Sequence, residues 1–259
     1  MSELNKTQNF EYMINKACEL PYCKINRDVF LITQLDGLVT TEQLHDALKN
    51  GTVDAGIPIG TLDRLAHSAI RNESTKVTLL STAAGIPGGF VMFGTVPGDL
   101  VQFYTHVFRV AQKLAYIYGA KEIEFNDDAE TTLIIYLGAM FGVGMANAAL
   151  VKFAAANAAK IGAKVAKQPL SKFAVYNIAK KLLGWISVKL TKDTVGKTVT
   201  KAIPIVGGIV SGGLSAATFL PMANRLKKQL SKIAAMSPED LEKATADADI
   251  ILAEFSVQE

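Results

Sequence analysis

Residues 131–151 read Thr-Thr-Leu-Ile-Ile-Tyr-Leu-Gly-Ala-Met-Phe-Gly-Val-Gly-Met-Ala-Asn-Ala-Ala-Leu-Val, with no charge and no proline. A run of about 20 apolar residues is long enough to cross a bilayer as a helix. The same run can instead be a helix buried on all sides in a water-soluble bundle. Two further stretches, Val77–Gly98 and Ala202–Asn224, also lack charge. They are weaker spans: the first holds Pro87, Pro97 and five glycines, the second Pro204, Pro221 and four glycines. The first reads better as a helix end, a tight turn and a helix start. Each run contains glycines four apart: Gly85 and Gly89, Gly138 and Gly142, Gly208 and Gly212. On a helix such a pair shares one face and lets a neighbouring backbone come close. Gly85 and Gly89 straddle Pro87, so there the spacing marks a turn. The expectation is that the three runs are buried helices of a compact body, with Thr131–Val151 kept as the one serious span candidate.

Outward from that run, helical signals cover nearly the whole chain. Phe10, Met13, Ile14, Ala17 and Cys18 follow i, i+3, i+4, i+7, i+8 before Pro21. A second helix is expected over Lys24–Leu35. Thr40-Thr-Glu-Gln has capping-box spacing. Pro58–Arg71 is amphipathic, and the polar residues Asn72–Lys76 are expected to interrupt it. A helix starts near Pro97 and stops at Gly119. The next runs over about residues 129–167, to Gln168-Pro169. Ser171–Leu190 is helical, a basic helix reaches Ile233, and Ser237-Pro-Glu-Asp opens a final acidic helix. No long β alternation and no repeat period intervenes. The prediction is an all-α fold, a single compact helical domain over residues 1–259 with glycine-rich buried helices.

Charge is strongly polarised along the chain. Residues 1–151 carry a net −5, residues 152–232 a net +14 with Asp193 the sole acid, and residues 233–259 a net −6. A block so basic is a surface for an anionic partner. It holds a single arginine, Arg225. Lysines act as point charges rather than bidentate readers, which argues against specific nucleic-acid recognition and favours anionic lipid. Within the block, Phe173, Tyr176, Leu183 and Trp185 alternate with lysines. Lys180, Lys181 and Lys189 would meet headgroups and Trp185 would sit at the interface. The alternative is a surface helix whose apolar side faces the core. The acidic tail could pair with the basic block and mask it.

The sequence carries few catalytic signals. Asp99, Gln102, His106, Arg109 and Lys113 are spaced three, four, three and four, one stripe on an otherwise apolar helix. Buried, an Asp99/His106 pair could do acid–base work of a hydrolase kind; otherwise the stripe is a solvated face. His45 and His67 fall on solvated faces. Cys18 and Cys23 form neither a disulfide framework nor a zinc site. Gly196-Lys197-Thr198 lacks the first glycine of a phosphate-binding loop. No metal or other cofactor is expected.

Asn26-Arg-Asp-Val-Phe-Leu, Ala84-Gly-Ile-Pro-Gly-Gly-Phe, Pro97-Gly-Asp-Leu-Val-Gln-Phe-Tyr, Gln112-Lys-Leu-Ala-Tyr-Ile-Tyr-Gly and Lys201-Ala-Ile-Pro-Ile-Val-Gly-Gly occur in that order. Together they resemble the EcsC family of bacterial proteins, from about residue 24 to residue 230. The resemblance implies a helical, membrane-proximal protein and supplies no catalytic residues. The start of the chain has no apolar signal region, so a cytoplasmic protein bound peripherally to the inner membrane face is the expectation. Its partner would be an anionic lipid surface, or a membrane protein; a protein-interaction module is the further alternative.

Overall fold

A computed structural model describes residues 3–84, 98–123, 129–158, 170–195 and 212–257. Ten α-helices and one 3-10 turn account for most of these residues, and no strand occurs among them. The helices are α1 (Glu3–Glu19), α2 (Arg27–Leu35), α3 (Thr41–Asn50), α4 (Ile59–Ala84) and α5 (Gly98–Ile117), then α6 (Ala129–Met140), α7 (Gly144–Asn157), α8 (Lys172–Val195), α9 (Gly212–Ala234) and α10 (Pro238–Val257). The 3-10 turn, Pro21–Cys23, joins α1 to α2. The fold is all-α, as the periodicity predicts.

Local chemistry sets the shorter helices. The Asn26 side chain accepts from the Val29 N–H and starts α2. Thr40 and Gln43 form the capping box of α3: Thr40 Oγ1 accepts from the Gln43 N–H, and Gln43 Oε1 accepts from the Thr40 N–H. Arg27, 5 % exposed, was not singled out by its sequence context. Its guanidinium donates to the carbonyls of Ala47, Leu48 and Ala120. It thus closes the C-terminus of α3 against the chain that follows α5.

α5 is the centre of the body. It packs against α1, α2, α4, α6 and α9, and Tyr104, Phe108, Leu114 and Ile117 are essentially without solvent contact. Gln112, fully buried, ties α5 to the 3-10 turn: its Oε1 accepts from the Ile25 N–H and its Nε2 donates to the Cys23 carbonyl. α10 lies on α7, α8 lies on α1 and α6, and α9 lies on α4.

The structure revises three expectations. The polar residues 72–76 do not interrupt a helix, because α4 is continuous from Ile59 to Ala84. The charge-free run is not one helix either. It breaks after Met140, where Gly142 takes φ +78°, and α7 starts at Gly144. A β-carbon there would be strained, which is why glycine holds the turn. Arg225, reaching across from α9, donates through Nη1 to the Met140 carbonyl at the end of α6 and packs over Gly142. No helix of the described residues is long and apolar enough to cross a membrane. Third, Gly138 and Gly142 do not form one packing face. Gly138 alone is a close-approach glycine: a β-carbon on it would lie 2.8 Å from a Leu182 methyl of α8 and 2.9 Å from the Ala146 β-carbon of α7. Gly85, Gly89 and Gly208 lie outside the described residues, and Gly212 is the first residue of α9.

Candidate functional site

The stripe on α5 divides when it meets its neighbours. Gln102 is exposed. His106, Arg109 and Lys113 turn inward against α4, the 3-10 turn and α2, with side-chain exposures of 6 %, 16 % and 12 %. What draws them in is Glu73, whose side chain has no solvent contact at all. Its Oε2 lies 2.7 Å from His106 Nδ1 and 3.6 Å from Arg109 Nε. Its Oε1 accepts from Lys113 Nζ at 2.6 Å and from Lys76 Nζ at 3.2 Å. Arg109 also donates to the Tyr22 carbonyl, and Lys113 Nζ lies 5.7 Å from the centre of the Phe30 ring. The Tyr22 ring covers His106, with ring centres 6.2 Å apart.

The electrostatics follow from this geometry. Burial on its own pushes the Glu73 carboxyl up. The hydrogen bond from His106 and the charges of Lys113 and Arg109 outweigh it, and the carboxyl is held well below its ordinary value. Lys113 moves below its ordinary value because it is desolvated; attraction to Glu73 offsets part of this, and Lys76 and Arg109 repel it. With Glu73 ionised, His106 Nδ1 carries the proton of their hydrogen bond. A carboxylate so stabilised is a weak proton acceptor near neutral pH. The cluster joins α4 to α5 through charge-assisted contacts.

Asp99 belongs to the first turn of α5, and its side chain lies outside the described residues. It lies seven positions before His106, about 10 Å along the axis at 1.5 Å per residue. Among the described side chains, the carboxylate that faces His106 is Glu73. Sequence periodicity missed Glu73 because it sits in the polar stretch read as an interruption. Its only sequence signal is an acid in register with Leu62, Ala66, Ala69, Ile70 and Val77 on the buried face of α4.

The basic segment takes a different form. On α8, Ile178, Ala179, Leu182, Leu183 and Ile186 are buried against the body. Outside that buried face large aromatics stay in solvent: Phe173 is 74 % exposed and Tyr176 53 % on one side, and Trp185, half a turn round the helix from Tyr176, is 43 % exposed. Lys172 and Lys180 are exposed beside them. Lys181 donates to the Phe255 carbonyl of α10 at 2.6 Å. The Lys189 side chain lies outside the described residues. The first lysine of the basic block, Lys152, is 3 % exposed and pairs with Asp249 of α10 at 2.8 Å. Among the described residues, lysines of the basic block thus reach the acidic helix at Asp249 and at the Phe255 carbonyl, while Phe173 and Tyr176 of α8 stay exposed.

The remaining candidates take plain places. His45 and His67 are exposed, the latter beside Lys227. Cys23 is buried and Cys18 partly so; the contact with Cys23 and desolvation hold the Cys18 thiol far above its ordinary value, so it stays protonated. No cluster of three metal-ligating side chains occurs among the described residues. No family model, curated protein or solved structure matches the chain.

Proposed function

We propose that the protein is an EcsC-like, peripherally membrane-associated helical protein that docks on anionic lipid through the outer face of α8. The observation that carries this reading is the set of aromatics on that face. Phe173, Tyr176 and Lys180 follow i, i+3, i+7 and share one side of the helix, with Lys172 beside them and Trp185 farther round the helix. A helix that buries one apolar face in a body ordinarily keeps its other face polar. Here the second face is aromatic and basic. Burying a Phe-sized side chain is worth about 1.5–3 kcal/mol, so leaving several in water is costly unless a partner covers them. Aromatic rings with lysines alongside suit the headgroup layer, where the rings enter and the ammonium groups stay among phosphates. From residue 173 to residue 180 the shared side extends about 10 Å along the helix. That is a footprint for lying on a membrane, and it fits a protein held at the cytoplasmic face by contact.

The test is co-sedimentation of the full chain with phosphatidylglycerol-containing vesicles and with neutral phosphatidylcholine vesicles. Binding to the first and its loss in Lys180→Glu/Trp185→Ala is expected. Both residues are exposed, so the fold should survive. Equal sedimentation of the parent and this variant would overturn the reading.

A further inference from the structure

α4 and α9 pack side by side and leave an open groove of about 600 Å³ between them. The two helices run antiparallel. Lys227 of α9 meets Asp63 and His67 near the start of α4, while Leu220, two turns earlier, lines the groove beside the later turns of α4. The groove is basic at one end and apolar at the other. His67 and Arg71 line the first half, and Leu79 and Leu220 line the second. No acid occurs among its described lining residues. Arg71 is exposed, and its guanidinium has no ion pair among the described residues. Leu79 is 64 % exposed and Leu220 38 %, so both gain by being covered.

The complement to this groove is on the same chain. α10 rests on α7, and its solvent side carries Glu239, Glu242, Ala246, Ile250 and Ala253. The steps are three, four, four and three, so these residues form one stripe. It too is divided along its length. The acids come first, and Ile250, 59 % exposed, follows between two alanines. Neither Glu239 nor Glu242 has an ion pair among the described residues. The two patterns share a register. Leu79 lies eight positions after Arg71, and Ile250 lies eight positions after Glu242. Both offsets are about 12 Å along a helix. An α10 laid parallel to α4 therefore sets Ile250 against Leu79 and Leu220 and Glu242 against Arg71. The same placement brings Glu239 to His67 and the Lys227 ammonium beside it. In its own protomer α10 is held on α7, with Asp249 paired to Lys152, so the stripe is offered to another molecule.

We propose that the α4/α9 groove is the docking site for α10 of a second copy of this chain. The contact is heterologous: groove and stripe are different patches, and every copy presents both. Charge complementarity selects the pairing and its direction, and the apolar end supplies the area that association buries. The proposal does not depend on the membrane reading, because neither surface includes α8.

Sedimentation velocity of the full chain from about 5 to about 500 µM covers the affinity range of a small contact. The mean mass should rise with concentration, and should fall again as salt is raised from about 50 to about 500 mM. Arg71→Glu damages the groove and Ile250→Lys damages the stripe. Each should stay monomeric over this range, with circular dichroism unchanged, because both side chains are exposed. Mixed one to one, the two variants should form a dimer and nothing larger. The intact stripe of the Arg71→Glu chain fits the intact groove of the Ile250→Lys chain, whereas the reverse contact is damaged on both sides. A parent that stays monomeric at about 500 µM, variants that associate as the parent does, or a mixture that stays monomeric would overturn the proposal. A monomeric parent whose binding to phosphatidylglycerol vesicles is lost in Arg71→Glu would give the groove to anionic lipid and overturn it too.

Discussion

Replacing Glu73 with glutamine tests whether the buried cluster holds α4 to α5. The carboxylate makes contacts of 2.7, 2.6, 3.2 and 3.6 Å with His106, Lys113, Lys76 and Arg109. One negative charge faces the three cations Lys76, Arg109 and Lys113. Glutamine keeps the shape and a carbonyl acceptor but removes the charge that three cations face. Lys113 and Arg109, with side chains 12 % and 16 % exposed, cannot regain full hydration without leaving their places. Breaking a buried ion pair from one side costs about 3–5 kcal/mol. For a domain of this size each 1 kcal/mol is worth about 2–4 °C, so Glu73→Gln should lower the melting temperature by about 6–20 °C. Thermal melts by circular dichroism, with urea unfolding as a second measure, read this directly. Glu73→Leu combined with His106→Leu and Lys113→Met should recover much of the loss, because a buried charge cluster can often be exchanged for apolar packing. A Glu73→Gln protein melting within about 2 °C of the parent would show that the cluster contributes nothing, and the reasoning would fail.

The same cluster fixes a pH dependence. Glu73 has a folded value below its unfolded one, so its contribution is fully present above the ordinary glutamate range near 4.5 and is lost as pH falls below it. The acid limb of stability against pH should therefore flatten in Glu73→Gln, measured as melting temperature from pH 7 down to about pH 3. Gly138→Ala puts a β-carbon 2.8–2.9 Å from Leu182 and Ala146; overpacking of this kind costs about 1–3 kcal/mol, and urea unfolding should show it despite alanine's better helix propensity. Asp249→Asn leaves Lys152, 3 % exposed, facing an uncharged partner. Because Asp249 itself is half exposed, the expected loss is smaller, about 1–3 kcal/mol, again by urea unfolding.

Much of the fold was legible in the sequence because helix periodicity and caps are local. The Thr40 cap, the stop at Gly119 and the start at Ser237-Pro238 are each readable from a few neighbouring residues. What escaped was set by contacts between residues far apart. A continuous α4 across residues 72–76 is unreadable locally, since the polarity there serves a buried charge cluster whose cations come from α5. The elbow at Gly142 escaped for a related reason: an apolar Gly-rich run is compatible with one helix or two, and Arg225, 83 residues on, is seated at the break. The polar stripe was visible as a stripe, but its direction was not. Nothing within α5 shows that its partner carboxylate is on α4.

The sequence by itself determined that the chain is helical and that its charge is segregated into acidic, basic and acidic blocks. Those properties are carried by spacing and composition, which survive without knowledge of neighbours. Only the tertiary structure decided which charges are buried and which aromatic residues of α8 remain in water. These depend on which faces meet, and a helical period defines a face without saying what lies against it.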